Sequence, residues 1–347
     1  MNTLRAWSHG LDTLPAAAAW QLEALGEARG RQALFTRQSP QRLRALREHA
    51  IVESAVASNR IEGIEVERAR VGTLVFGRSA PRDRDEEELR GYRKALEWIH
   101  RDAASIDLGE ETARELHRLV RGDIWDAGQY KAEDGEIVER YPDGRSRVRF
   151  RPVAAAATPA AMAELYSLAA RAGQERWASA PLLAAAANLD FLCIHPFRDG
   201  NGRVSRLLWL LESYRLGLEV GRYVSLERLV EQDKQGYYDA LERSSLGWHE
   251  GRHDPWPYVL FVLSVWRAAY RELEARLGDS AEPRGSKRAR VRDAILALPG
   301  SFALDELRTA CPGVSDETLR KALKELRDEG RIECLGRGVK ARWRKKK

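Results

Sequence analysis

At 347 residues the chain is longer than one ordinary domain, and two or three folded units are expected. Its composition, 44% hydrophobic and 32% charged with no Pro-, Ser- or Gln-rich tract, excludes a disordered chain. The three cysteines, Cys193, Cys311 and Cys334, lack CxxC spacing, which fits neither a disulfide framework nor a zinc cluster, and the net charge of +6 is modest.

The first residues, MNTLRAWSHGLDTL, lack the apolar core of a signal peptide. The longest strongly apolar run, 256–266, is interrupted by Pro257 and Ser264 and falls far short of the roughly 20 residues of a membrane span. A soluble cytoplasmic protein with reduced thiols and no membrane partner is expected.

In chain order, most segments read as helix. Residues 41–60 are amphipathic and end before Gly63. Residues 85–121 continue helically, with Leu89, Tyr92, Leu96 and Ile99 at steps of three and four. Over 128–152, two short β-prone pieces flank Pro142-Asp143-Gly144-Arg145, which predicts a hairpin. Residues 155–174 and 181–194 are Ala-rich helices, and the second, apolar nearly all round, should be central and buried. Helices follow at 202–216 and within 226–275. The polar segment 276–287 reads as a linker. Beyond it come helices at 288–298, 303–310 and 315–329, with turns at Pro299-Gly300 and Pro312-Gly313. Two strands, 331–335 and 339–343, follow around Gly336-Arg337-Gly338. Three helices and a hairpin make a winged-helix layout.

The densest chemistry is HPFRDGNGRVSR at 195–206. Pro196 takes the chain out of the buried helix and fixes His195 at its exit. Gly200 and Gly202 bracket Asn201, permit positive φ, and let backbone N–H groups converge where the next helix begins. A glycine-rich turn leading into a helix N-terminus holds phosphate. Arg203 and Arg206, three apart, share one helix face and suit a polyphosphate. Asp199 supplies a carboxylate beside the phosphates, where Mg²⁺ would sit. His195 alone has a pKa suited to taking a proton from a hydroxyl near neutral pH.

These residues resemble the signature of the Fic family, HPF-x-[D/E]-G-N-G-R-x-x-R, at every fixed position. The resemblance implies an all-α core with a small β-hairpin flap. It implies transfer of AMP from ATP to a Ser, Thr or Tyr hydroxyl of a protein, the chain itself included. By position, His195 would be the general base, Phe197 the apolar anchor of the loop, and Asp199 the Mg²⁺ ligand. Gly200, Asn201 and Gly202 would bind the α- and β-phosphates, and Arg203 with Arg206 the β/γ end. The hairpin would align the target by strand addition. Tyr237-Tyr238 resembles the family segment lining the nucleotide base, with ordinary helix aromatics as the alternative. Kinase-like Doc relatives carry Lys at the second glycine and lack the second arginine, so Gly202 and Arg206 argue against phosphate transfer. Transfer of UMP or phosphocholine stays open, because the loop reads pyrophosphate.

SNRIEG at 58–63 is similar to the inhibitory motif [S/T]xxxE[G/N] of autoinhibited Fic proteins. A carboxylate at a helix C-terminus is disfavoured by the helix dipole and needs a cation. The resemblance supplies one: Glu62 would pair with Arg206 and block the γ-phosphate position, steadied by Ser58. In some relatives the same Glu serves AMP removal, a second open reading.

Charge adds a third feature. Residues 286–347 hold 17 Lys and Arg against 9 Asp and Glu, a net of +8, which leaves −2 for the rest. A winged helix would place Arg320, Lys321, Lys324 and Arg327 in a major groove, or serve dimerisation or target recruitment instead. The expected organisation is an N-terminal helical region with the inhibitory helix (1–84), a catalytic core (85–275), a linker (276–287) and a winged-helix domain of α+β type (288–347). The expected partners are ATP with Mg²⁺, a protein substrate, DNA at the C-terminal domain, and a second copy in a homodimer. The competing class is a DNA-binding regulator whose core only senses nucleotide.

Overall fold

The computed structural model describes the chain except for residues 12, 36–39, 76–78, 141–143, 279–290, 293, 296–297, 299–300, 312–313, 337–340 and 347. Most of the expected linker and the tips of both expected hairpin turns lie outside the described residues, as do the two Pro-Gly turns at 299–300 and 312–313. The chain divides into two compact units, Met1–Leu273 and Glu274–Lys347.

The first unit is helical, with one hairpin. In order come α1 (Asn2–Trp7), α2 (Ala16–Phe35), α3 (Pro40–Ile61), α4 (Arg68–Val75), α5 (Arg84–Asp102) and α6 (Glu110–Arg121). Then follow β1 (Ile137–Arg140), β2 (Ser146–Phe150), α7 (Thr158–Glu175), α8 (Ala180–Ile194) and α9 (Asn201–Arg215). The unit closes with α10 (Leu226–Gln232), α11 (Lys234–Ser245) and α12 (Trp256–Gly278), the last of which runs past the unit's end at Leu273. Among the described residues no helix is long and apolar enough to cross a membrane.

Helix α8 is central because its sequence is apolar on every face, and residues from Leu182 to Ile194 are buried with the sole exception of Ala187. Its one buried charge, Asp190, is fully used. The carboxylate accepts the backbone N–H groups of Thr3 and Leu4, at 3.1 and 3.0 Å, and the indole N–H of Trp248 at 2.6 Å. That ties α1 to α8, which a reading of periodicity cannot foresee.

The helix expected over 85–121 is two helices, α5 and α6, separated at 103–109. Gly109, extended at φ −173°, caps α6, and Ile106 is buried in the connection. The two apolar stripes face each other as an antiparallel pair rather than running on as one rod, because each needs a partner to bury it. They pack tightly at Gly91, where a Cβ would stand 2.3 Å from the Leu119 carbonyl oxygen.

The hairpin is present: β1 and β2 pair antiparallel, with Val138 opposite Val148 and a register irregularity between Ile137 and Val138. Both valines are about two-fifths exposed.

The second unit contains a three-stranded antiparallel sheet in the order β3-β5-β4, formed by β3 (Ser301–Ala303), β4 (Ile332–Cys334) and β5 (Arg342–Lys345). Its helices include α13 (Leu304–Ala310) and α14 (Asp316–Asp328), the latter capped by Ser315, whose hydroxyl accepts the Thr318 N–H. Val291, Ile295, Phe302, Leu307, Leu319, Leu323 and Ile332 form its core. Two expectations change here. The third strand, β3, is too short to show alternation, and it is recruited by burying Phe302 opposite Trp343. The last strand runs over Arg342–Lys345, past its expected end at 343, with Trp343 facing Phe302 and Cys334 in one register; its expected start at 339 lies outside the described residues.

Gly91→Ala is expected to destabilise the first unit by about 2 kcal/mol through overpacking against α6. Urea unfolding checks this, and an unchanged midpoint would mean the helices can part at no cost.

Candidate active site

The segment 195–206 closes α8 and opens α9. His195 is the C-cap of α8 in the left-handed region, at φ 51° and ψ 62°. It is one of two non-glycine residues with positive φ among the described residues, a conformation sustained only where surroundings enforce it. Lys131 supplies much of that enforcement. Its ammonium donates to the carbonyls of Ile194 at 3.1 Å and His195 at 2.9 Å, and its backbone N–H donates to Pro196 O at 2.9 Å. A cation on the last carbonyls of a helix satisfies groups that have no intrahelical partner. Burial lowers the Lys131 pKa to about 8, against the pull of Asp134.

The His195 ring has a defined tautomer. Nδ1 lies 3.3 Å from the Leu192 carbonyl oxygen, which can only accept, so Nδ1 carries the proton and Nε2 is left with a lone pair. Burial, helped by the charge of Lys131, lowers its pKa to about 4, although the Leu192 carbonyl, Glu62 and Asp199 pull it upward. The imidazole is therefore neutral at neutral pH.

Phe197 anchors the loop. Its ring is 1% exposed and stacks on His117, with centroids 3.9 Å apart and planes 2° from parallel. Across the loop, Asn201 Oδ1 accepts the Phe197 N–H at 2.9 Å and Asn201 Nδ2 donates to Phe197 O at 2.7 Å. The Asn201 side chain is thus committed to holding the loop, which leaves only its backbone for a ligand. Gly200, at φ +81°, makes the turn that other residues rarely adopt, and no side chain caps α9. The first-turn N–H groups of α9 keep their capacity for an anion.

Three guanidiniums lie buried beside this loop. Arg203 bonds Glu88 and, at 3.3 Å, Asn59. Arg121 donates to Glu88 at 2.8 Å and to Asp199 at 2.5 Å. Arg206 donates to the Ser58 hydroxyl and the Ser58 carbonyl, each at 2.9 Å, and to Glu62 at 2.8 Å. Arg206 Nη1 is buried without a partner among the described residues. Among the described residues, Glu88 is the one buried carboxylate bonded to these guanidiniums; Glu62 and Asp199 are 30% and 58% exposed at the side chain. Burial alone would raise the Asp199 carboxyl, but Arg121, Arg203 and the Gly200 N–H hold it below its ordinary value.

Glu62 follows the last residue of α3, and Gly63 turns the chain there at φ +81°. The carboxylate lies directly over the loop: a Cβ on Gly202 would stand 2.2 Å from Glu62 Oε1. A cavity of about 450 Å³ opens beside it, lined by Glu62, Gly202, His195, Tyr237, Tyr238 and Arg149. Tyr237 is 3% exposed and packs on Tyr258 and Phe261 as core. Half-buried Tyr238 donates its hydroxyl to Ile61 O at 3.3 Å, with Arg149 of β2 over its ring at 5.1 Å.

All twelve residues singled out in the sequence therefore converge on one cavity and its supports. Glu88, His117, Arg121, Lys131 and Arg149 were missed. His117 takes the Gly128 N–H on Nδ1 at 2.9 Å, so its Nε2–H donates to Asp199 O at 3.0 Å; burial lowers its pKa to about 4. A signal existed for three of the five. Glu88 lies in the apolar stripe of α5, and His117 and Arg121 in that of α6, places where a charged or polar side chain needs a buried partner.

Residues 107–212 match the Fic/DOC family. The fold of the chain is similar to that of solved Fic proteins. A Fic family protein from Desulfovibrio desulfuricans superposes with a TM-score of 0.64 at 23% identity, covering 97% of this chain and 98% of that one. A Fic domain containing signaling protein from Bacteroides thetaiotaomicron gives 0.59 at 22% identity, covering 75% and 100%. A Fic-1 fragment from C. elegans gives 0.59 at 20% identity, covering 77% and 76%. No curated protein matches significantly. Fic domains commonly transfer AMP or other nucleotide-derived groups onto proteins and are typically transferases. The Fic match contains His117, Arg121, Lys131 and the whole loop, but not Ser58, Glu62, Glu88, Tyr237 or Tyr238. Those five reach the site through the tertiary fold.

Glu88→Gln is expected to cost roughly 3 kcal/mol, because it strips Arg121 and Arg203 of their shared buried counter-charge. Denaturant melts measure the loss, and a change under about 0.5 kcal/mol, the range of an ordinary surface substitution, would remove Glu88 from the framework of the site.

Proposed function

We propose that this protein is a protein adenylyltransferase, moving AMP from ATP to a Ser, Thr or Tyr hydroxyl of a protein, held in check by Glu62. The observation that carries the reading is one continuous segment, 195–206, that brings a neutral imidazole to the cavity and carries two buried guanidiniums, Arg203 and Arg206, behind the Gly202 wall of that cavity.

The target hydroxyl gives its proton to His195 Nε2 while its oxygen bonds the α-phosphorus. The bond from the α-phosphorus to the bridging oxygen breaks, and pyrophosphate leaves. The first-turn N–H groups of α9 would hold the α- and β-phosphates, and Arg206, through its unpartnered Nη1, the outer phosphate. A Mg²⁺ ion fits the open face of the ionised Asp199. Among the described residues no three His, Cys, Asp or Glu side chains cluster as a cage, which suits an ion that takes one carboxylate and completes its shell with phosphate and water. Bound there, it would neutralise charge building on the leaving pyrophosphate. Tyr238 would wall the base. The hairpin offers exposed Val138 and Val148 and an unpaired edge to a target strand.

The brake is a competition of anions. Glu62 holds Arg206 and stands over Gly202, so a phosphate and this carboxylate cannot share the position. Removing Glu62 leaves Arg206 with hydroxyl and carbonyl acceptors only, a vacancy for an incoming charge. We read the second unit as a winged helix. Several of its basic groups are already paired internally: Arg308 with Asp316, Lys321 with Glu317, Arg344 with Glu333. DNA contact would fall to Arg320 and Lys324 of α14.

The test is transfer from α-labelled ATP with Mg²⁺, alone and with lysate. Glu62→Gly is expected to raise labelling of protein at least tenfold over wild type, and His195→Ala in that background to abolish it. No label under any condition sinks AMP transfer, leaving another donor or a DNA-binding regulator that senses nucleotide. A pH series on Glu62→Gly gives a second check. Since the base must be neutral and burial holds His195 to about 4, kcat/KM should stay level down to about pH 5 and fall only toward pH 4. An acid limb near 6.5 would mean that the base titrates as a solvated imidazole, and that burial does not hold His195 neutral.

A further inference from the structure

A second cavity, of about 550 Å³, lies between α7, α8 and α9 and shares no lining residue with the cavity at His195. It uses a different stripe of α8, in which Ala180, Ala184, Ala187 and Phe191 recur at steps of three and four. The space exists because small residues face one another: Ala169 and Gly173 on α7 oppose Ala184 and Ala187 on α8. Leu165 and Leu208 complete an apolar wall. The volume is that of an ordinary small-molecule site.

Two polar groups in this lining are unused. The Tyr166 hydroxyl oxygen is buried and has no hydrogen-bond partner among the described residues. Glu212, on α9, has neither a hydrogen bond nor an ion pair among them and lies near enough to act on the Tyr166 hydroxyl. Burial pushes the Glu212 carboxyl up to about 8, only partly opposed by Arg215. The other polar lining groups are committed or few. Asn188 donates to Ser205 O and accepts from the Tyr258 hydroxyl, and Arg215 donates to Ile106 O. The titratable groups facing the cavity are Asp107, Tyr166, Glu212 and Arg215, two carboxylates against one cation. Proteins rarely leave a half-buried carboxyl and a buried hydroxyl together without partners, since each gives up water and gains nothing in return.

We propose that this cavity binds a small primary amine, with its ammonium group on Glu212 and the Tyr166 oxygen and its apolar body among Ala169, Ala184 and Ala187. An ammonium has three donors and no acceptor, which complements two unpartnered oxygens. It also supplies the charge that lets Glu212 ionise in place. The occupant would touch Phe191, whose ring lies 6.4 Å from that of Phe197, the anchor of the catalytic loop.

Calorimetry with hexylamine and hexanol on the full chain tests the site. Hexylamine is expected to bind saturably, at least tenfold more tightly than hexanol, and more tightly at pH 8.5 than at pH 6.5 as Glu212 ionises. Glu212→Gln should weaken hexylamine at least tenfold. A Cβ on Gly173 would meet no atom within 4 Å, so Gly173→Leu should fold normally, fill the mouth and abolish binding. Absence of saturable binding, equal affinity for hexanol, or affinity indifferent to both substitutions would each overturn the proposal.

Discussion

Burying a guanidinium is costly unless carboxylates and carbonyls replace the lost water, and this fold buries three of them, from Arg121, Arg203 and Arg206, around a single loop. Much of the surrounding architecture serves that need. Helix α5 brings Glu88 between Arg121 and Arg203, and α6 brings Arg121 to Asp199. Helix α3 brings Asn59 to Arg203, and Ser58 and Glu62 to Arg206. Four segments of the chain, α3, α5, α6 and 195–206, are held in one arrangement by charges that none of them can satisfy alone.

The same bookkeeping of charge links the inner framework to regulation. Glu88 lies inside and cannot be exchanged for a ligand, so it belongs to the fold. Glu62 and Asp199 sit at the rim, where an anion or a cation from solvent can replace or join them. In the proposed reading the brake is therefore a replaceable member of a set whose other members are permanent. Its strength depends on how firmly α3 is seated. That helix is held from behind by Ser54, which bonds Glu227, while Tyr92 donates to the other oxygen of the same carboxylate at 2.9 Å. The proton chemistry proposed for His195 depends on burial in the same way: exclusion of water keeps the ring neutral, and Lys131 keeps it in its left-handed turn.

The loop was legible because each of its demands falls on neighbouring residues. Pro196 ends one helix, Gly200 makes a left-handed turn, and the next helix starts at once, all within a dozen positions. The hairpin was legible from its turn signal and the placing of Glu62 from its helix end before Gly63. The α5–α6 break escaped detection because two helices in phase look like one until the loop between them folds back. Strand β3 escaped because three residues carry no period. Lys131 carried no signal at all, since a lysine before a β-hairpin looks like a solvated one; only the orphan carbonyls at the end of α8 give it a task.

By itself the sequence determined what is local: helix ends, turn chemistry, the order of groups in 195–206, and the excess of positive charge after residue 286. Those depend on φ preferences, side-chain spacing and composition, which act over a few residues. Only the tertiary structure decided which carboxylate meets which arginine, which tautomer His195 holds, and that Asn201 closes the loop with its side chain. It alone decided that small residues on α7 and α8 leave a second cavity. Some of these arise from contacts between distant segments, as of Glu88 with Arg203 or Glu62 with Arg206, and others, as of Asn201 with Phe197, from backbone geometry and the exclusion of water where helices meet, none of which has a signature along the chain.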